Sequence, residues 1–372
     1  MFLKNKIYLL VLGIICYNAL LAQVPTIEIL EQGRKTSIRG MSVVNNNVVW
    51  VSGSGGSVGK SLDGGKTWNW ITVTGYEKSD FRDIEAFDDK TALIMGITQP
   101  AVILKTKDGG MSWRKVFEDT AKAAFFDAMA FEVEGKDTTG MLIGDPIKKI
   151  QYVALAFTEN EYLEWKTPEM NDPDMYDTSY NNNNLHLASV AQGEAFFASS
   201  GTNIGLTNFV EMVPILGFVV SGGKKTSLMH YPIGHKYPIP MLSGKTSTGA
   251  NSIAILKEKN KGVIVGGDFA NDTLREGNMV LFNYNEKNFE PIFVKPTTLP
   301  HGYRSCVIYI DENNLITCGT SGVDISKDGG MNWELISKES FHVVQKAKNG
   351  NAVYLAGKGG RIAKLILNKP AP

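Results

Sequence analysis

The chain has 372 residues, with 38 Lys and Arg against 38 Asp and Glu. That balance, with no polybasic run, argues against nucleic acid or an anionic membrane surface as a partner. Its 38 glycines suit a protein of short strands and tight turns, while the length alone allows one large all-β domain or two smaller ones.

Residues 1–22 read as a signal peptide. Lys4 and Lys6 precede an apolar run from Ile7 to Ala22, broken only at Asn18, with a cleavage point after Ala22. An uncleaved anchor is the alternative reading of this run. Nothing else in the chain is long and apolar enough to span a bilayer, so no membrane span is expected in the mature chain. The expected location is therefore periplasmic, cell-surface or secreted. Loss of Lys4 and Lys6 leaves the mature chain two charges acidic, and leaves Cys306 and Cys318 as its cysteines.

From residue 37 one unit recurs: a strand, a polar turn, an apolar strand ending in small residues, a Gly-rich loop and a strand running into a tight hairpin. The first unit opens at Ser37-Ile38-Arg39-Gly40 and reaches the hairpin Ser61-Leu62-Asp63-Gly64-Gly65-Lys66-Thr67-Trp68. The second opens at Phe81-Arg82-Asp83-Ile84 and ends in Thr106-Lys107-Asp108-Gly109-Gly110-Met111-Ser112-Trp113. The third opens at Phe126-Asp127, with a decayed hairpin at Phe157 to Asn160 and Trp165 as its anchor. The fourth is expected to open near Leu185-His186, pass Ala195 to Ala198, and carry an irregular segment up to Gly249. The fifth opens near Asn251-Ser252-Ile253. The sixth runs from Arg304 to Ser326-Lys327-Asp328-Gly329-Gly330-Met331-Asn332-Trp333, and the seventh opens at Phe341-His342.

The three hairpins repeat Asp, Gly, Gly and Trp at fixed positions. The carboxylate can bond backbone N–H groups further on, the glycines reach dihedrals closed to other residues, and the Trp anchors the turn. Seven units of this size suggest an all-β, seven-bladed β-propeller over residues 23–372. The seventh unit ends one strand short, and the spare strand Thr26-Ile27-Glu28-Ile29-Leu30 is expected to complete it and close the ring. A two-domain sandwich is the competing fold.

Laying the innermost strands on one another places Arg39, Arg82, Asp127, His186, Asn251, Arg304 and His342 at one level, each in a different unit. Such groups would converge on the mouth of a central channel. Three guanidiniums together call for an anion, which Asp127, Asp83 or Glu85 could supply internally and a bound carboxylate, phosphate or peptide C-terminus could supply from outside. The expected ligand site is therefore Arg39, Arg82, Glu85, Asp127, His186, Asn251, Arg304 and His342. The alternative is a solvated channel with internal ion pairs. Asp63, Trp68, Asp108, Trp113, Asp328 and Trp333 are assigned to structure, because they hold turns.

The hairpin pattern resembles the Asp-box (BNR) repeat of sialidase-like β-propellers. That resemblance implies an alternative function, glycoside hydrolysis, with Arg39, Arg82 and Arg304 around a sugar carboxylate, Asp127 or Glu85 as acid and Tyr303 or Tyr231 as nucleophile. The Arg-Ile-Pro signature of that family is replaced here by Ser37-Ile38-Arg39-Gly40. A closer resemblance, over most of residues 24–367, is to exported BNR-like propellers related to the photosystem II assembly factor. It rests on Ile38-Arg39-Gly40, Val49-Trp50-Val51-Ser52-Gly53 and Lys60 to Trp68, with Arg82 and Arg304 at the recurring arginine position. It implies a non-catalytic binder or scaffold holding a protein, peptide or glycan partner in the cell envelope. A structural subunit of an envelope complex is a third reading.

No cofactor is expected, since no Gly-x-Gly-x-x-Gly, Cys-x-x-Cys or haem-type pair occurs in a fitting context. No metal is expected either: His186, His230 and His235 lack ligand spacing, and Asn171 to Asn184 reads as a polar loop before it reads as a calcium site. Cys306 and Cys318 fall opposite each other if Asp311 to Asn314 forms a hairpin turn. Both a disulfide and two buried thiols fit that placement.

Overall fold

The computed structural model describes residues 25–98, 100–134, 137–147, 150–159, 162–166, 190–207, 216–231, 234–285 and 287–367. The expected signal peptide, His186 and the Asn171 to Asn184 loop lie outside the described residues. The described chain is all-β and propeller-like, built from antiparallel sheets in sequence order.

The chain begins with β1 (Thr26–Glu31). One sheet follows from β2 (Ile38–Val43), β3 (Val49–Gly53), β4 (Ser57–Ser61) and β5 (Asn69–Thr72). The next holds β6 (Phe81–Ala86), β7 (Ala92–Gly96), β8 (Ala101–Thr106) and β9 (Arg114–Asp119). A third holds β10 (Phe126–Glu134), β11 (Asp137–Ile147), β12 (Ile150–Glu159) and β13 (Tyr162–Lys166). Then come β14 (Glu194–Ala195), β15 (Ile204–Leu206), β16 (Gly217–Gly223), β17 (Ser227–Tyr231) and β18 (Lys236–Pro238). These join β19 (Thr248–Leu256), β20 (Lys261–Asp268), β21 (Met279–Tyr284) and β22 (Pro291–Val294) in a nine-stranded sheet. Its halves meet at a single pairing, Gly222 with Gly249. Two four-stranded sheets finish the chain: β23 (Cys306–Tyr309), β24 (Leu315–Gly319), β25 (Gly322–Ser326) and β26 (Glu334–Ser337), then β27 (Val343–Lys346), β28 (Val353–Ala356) and β29 (Ile362–Ile366) completed by β1.

Second and third strands of most sheets are buried on both faces, as in Ala92-Leu93-Ile94-Met95-Gly96, because a neighbouring sheet covers each side. Val, Ile and Leu runs therefore replace the alternation of a half-exposed strand. The apolar clusters lie between successive sheets. One joins β2–β4 to β6–β8, the next joins β6–β8 to β10–β11, and another joins β23–β25 and β27–β29 to β2–β3.

The three Asp-box hairpins share one hydrogen-bond scheme. The Asp63 carboxylate accepts from the Thr67 N–H (2.9 Å) and hydroxyl (2.6 Å), four residues on, and from the Ser61 hydroxyl (2.9 Å). The Gly65 N–H donates to the Ser61 oxygen, and the Trp68 indole donates to the Gly65 carbonyl. Asp108 with Thr106, Ser112 and Trp113 repeats it, as does Asp328 with Ser326, Asn332 and Trp333. Gly64 and Gly65 have φ of 75° and 89°, which explains why glycines hold both positions. These bonds hold the Asp63 and Asp108 carboxyls down to about 2.

The fourth unit differs from expectation. Its innermost strand is β15, and the long buried strand is β16, inside the stretch 199–249 that reads as irregular in sequence. Gly217, Gly222 and Gly223 interrupt the apolar pattern of β16 because other backbone packs against them; a Cβ on Gly222 would lie 2.3 Å from the Phe197 ring. Ser199 to Asn203 leads into that innermost strand.

Cys306 and Cys318 are direct cross-strand partners, and both are free, buried thiols. Burial pushes both thiols up, and Cys306 Sγ lies 3.3 Å from the Val344 carbonyl of the next sheet.

Candidate functional site at the inner strand ends

The recurring polar positions have a structural cause. Arg39 falls between the pairs Ile38–Gly53 and Gly40–Ser52, and Arg82 between Phe81–Gly96 and Asp83–Met95. Asp127 falls between Phe126–Gly144 and Ala128–Ile143, and Asn251 between Ala250–Gly266 and Ser252–Val265. Each is the extra residue of a β-bulge, which turns its side chain away from the ordinary alternation. His342 follows the same form: its N–H donates to the Ala356 carbonyl while Val343 pairs with Ala356.

A segment within the stretch that reads as irregular in sequence completes this end. Ala198 to Asn203 crosses between the inner strands. The Ser200 hydroxyl donates to the Ser305 carbonyl at 2.7 Å, Thr202 to the Ser252 hydroxyl at 2.7 Å, and Ile253 N–H to the Thr202 carbonyl at 2.9 Å. The Asp83 carboxylate sits where a Gly201 Cβ would go, at 2.3 Å. This end of the inner strands thus has a floor made of serine, glycine and threonine. The signal for it was compositional: Ser199-Ser200-Gly201-Thr202 is small and polar, so it fits among packed inner strands.

Arg39 and Arg82 stand together on that floor. Arg39 Nη1 donates to the Ser199 carbonyl at 3.2 Å, and Arg82 Nη1 to the Ala198 carbonyl at 3.5 Å. Arg82 also pairs with Asp80 at 2.8 Å, and its side chain is 27% exposed. Arg39 has no carboxylate partner among the described residues; burial first, then Arg82, lowers its pKa. His342 is buried beside them. Burial, with the charges of Arg39, Arg82 and Lys358, brings its pKa down to about 3, so it is a neutral imidazole.

Asp127 is fully buried near Arg82, and neither carboxylate oxygen has a hydrogen-bond partner among the described residues. Burial and neighbouring Asp145 push its carboxyl well above the usual range. A carboxyl that holds its proton more tightly is a weaker counter-ion, so Asp127 offsets less of the arginine pair's positive charge.

The other expected site residues lie elsewhere. Arg304 is fully buried and donates to Asp324 through Nε at 2.9 Å and through Nη2, and to the Tyr303 carbonyl and Ser321 hydroxyl through Nη1. His301 binds the same Asp324 at 2.7 Å. Glu85 is at the far end of β6, paired with Lys348. Asn251 is buried and accepts the Tyr303 hydroxyl at 2.9 Å. The structure brings together Arg39, Arg82, Asp127 and His342, and keeps Arg304 and Glu85 apart from them.

That arrangement bears on hydrolysis. An activated tyrosine needs a base that lowers its pKa. Burial pushes Tyr303 up to about 12, and Tyr231 rises well above its usual value for the same reason. Among the described residues no three His, Cys, Asp or Glu gather as a metal-ligating group, and no helix is long and apolar enough to cross a membrane.

Residues 23–122 match a family model described as photosynthesis system II assembly factor YCF48. No curated protein matches the chain. Among solved structures, YCF48 from Cyanidioschyzon merolae is similar with a TM-score of 0.57 at 16% identity, covering 92% of this chain and 98% of that one. A structure described as YCF48 bound to D1 peptide gives 0.59 at 14% identity, covering 93% and 98%. The WD40 β-propeller domain of Doa1 gives 0.55 at 11% identity, covering 92% and 98%. The chain accordingly has a β-propeller fold related to those of YCF48, BNR-repeat and WD40 proteins.

Proposed function

We propose that this is an exported, non-catalytic recognition protein whose Arg39–Arg82 mouth receives the carboxylate of a peptide partner. The observation that carries the reading is Arg39: a half-buried guanidinium beside a second one, with no carboxylate of its own among the described residues. A planar fork in that state matches a carboxylate in geometry and charge. Among the described residues the pair's carboxylate partner is Asp80, on Arg82, so an arriving anion relieves repulsion as well as forming hydrogen bonds. Neutral His342 adds a donor without adding charge. That a similar propeller is described as bound to a peptide supports the choice of partner class. Export is proposed from the apolar run Ile7 to Ala22.

The proposal includes a ring of seven blades. It is supported by the single Gly222–Gly249 link, which divides the largest sheet into two groups of blade size, and by the pairing of β1 with β29. The test uses a library of synthetic nonapeptides with free C-terminal carboxylates, screened on the mature chain and on Arg39→Gln. Selected peptides should lose at least tenfold in affinity when amidated at the C-terminus, and again on Arg39→Gln. Peptides that bind equally well as amides would sink the reading.

A further inference from the structure

A second basic feature lies at the Asp-box end of the β6–β9 sheet, independent of the mouth. Lys105 on β8 and Arg114 on β9 are direct cross-strand partners. Like charges placed opposite each other destabilise a strand pair. The equivalent pair in the β2–β5 sheet is Lys60 with Asn69, and in the β23–β26 sheet Ile325 with Glu334. Two opposed cations are thus peculiar to this copy among the three Asp-box sheets.

The fate of the lysine also differs between copies. Lys60 donates to the Asp89 carbonyl at 3.0 Å and the Gly109 carbonyl at 2.9 Å, tying its sheet to the next Asp-box turn. The unit that follows Lys105 in the chain lacks that motif at its hairpin. Lys105 and Arg114 make no side-chain hydrogen bond or ion pair with a described residue. With Lys107, Ser112 and Trp113 they line a hollow of about 210 Å³. That is smaller than the roughly 300–1,000 Å³ of sites for drug-sized ligands, and suits a single charged group. Partial burial, then the charges of Lys107 and Arg114, lowers the Lys105 pKa. The Trp113 indole N–H is already bonded to Gly110 at 3.2 Å, so its ring contributes a wall and no donor.

We propose that this hollow binds a tetrahedral oxyanion, the phosphate or sulfate group of a small monoester, held by Lys105 and Arg114. Bidentate guanidinium contact and a flanking ammonium are the usual means of holding such a group. The repulsion between Lys105 and Arg114 is relieved when the anion enters.

The test is a thermal-shift and calorimetric titration of the mature chain with inorganic phosphate and inorganic sulfate, against chloride at equal ionic strength. Glucose 6-phosphate and glucose 6-sulfate follow as separate arms, and the tighter ester names the source. Phosphate or sulfate should raise the Tm of the parent protein, and Arg114→Asn should weaken binding at least tenfold. Arg39→Gln should leave this affinity unchanged, which separates the hollow from the mouth. Arg114→Asn should be as stable as the parent, or more so, without oxyanion. No oxyanion-specific shift, an equal shift in Arg114→Asn, or a variant less stable than the parent in oxyanion-free buffer would each overturn the proposal.

Discussion

Two arginines that look equivalent in sequence carry opposite energetic roles. Arg304 is sealed against Asp324, and removing one partner of a buried pair leaves the other charge stranded, at about 3–5 kcal/mol. Arg304→Met should therefore lower stability by about that amount, measured by urea denaturation. Restoring an apolar pair with Arg304→Met/Asp324→Leu should recover a good part of the loss. Arg39→Gln removes a strained positive charge and should change stability by less than about 0.5 kcal/mol. A large loss from Arg39→Gln would give that side chain a structural job. The histidines add a pH signature. His342 and His230 are both held down to about 3 by burial, whereas an unfolded histidine titrates near 6.5. The unfolded chain binds protons that the folded chain refuses, so stability is full above pH 6.5 and falls as pH drops towards 3. His342→Gln should flatten part of that slope between pH 7 and 4.5, read from urea midpoints; an unchanged slope would mean His342 titrates normally in the fold.

At the scale of single strands, the bulge explains both what sequence reveals and what it hides. A regular strand puts apolar residues two apart, but the innermost strands bury Ile38 with Met41, Phe81 with Ile84, Phe126 with Met129 and Phe341 with Val344, three apart. That spacing is the trace of an inserted residue, and it lay in plain view. It made the polar positions alignable, and so the convergence of Arg39, Arg82, Asp127 and His342 was legible. The partners were not. Asp324, which captures Arg304, lies on β25, twenty residues further on, and nothing local to Tyr303-Arg304-Ser305 announces it. Glu85 is three residues beyond Arg82, roughly 10 Å along a strand, enough to move it to the other end of β6, beside Lys348. The strands β16 and β17 were hidden for another reason. The glycines of β16 admit neighbouring backbone, which weakens the apolar pattern by which that strand is read. Asp-box turns, by contrast, are specified within eight residues, and local hydrogen bonds fix them wherever the motif survives.

At the scale of the whole molecule, the first described strand pairs with the last. β1 runs antiparallel to β29, with Thr26 opposite Ile366 and Ile29 opposite Ala363. Further contacts connect the same two regions: the Tyr354 hydroxyl donates to the Asn46 carbonyl at 3.0 Å, and Lys348 N–H to the Val43 carbonyl at 2.9 Å. The second Asp-box glycine of each copy packs on the preceding sheet, Gly110 near Ile71 and Gly330 near Leu281; Gly65 packs on Leu30 of β1 and on Tyr354. Gly65 thus packs on the sheet containing β1 and β27–β29 in the way that the other two pack on the sheets before theirs. Deleting residues 23–33 would strip this sheet of its outer strand and leave β29 as an open edge, able to pair with other chains. The truncated protein should melt several degrees lower and self-associate on size exclusion. A synthetic peptide of residues 24–34 added in trans should reverse both changes, because it restores the register of β1 on β29. Truncated protein that stays monomeric at the parent Tm would mean that β1 only decorates the edge and that the remaining sheets hold their arrangement without it.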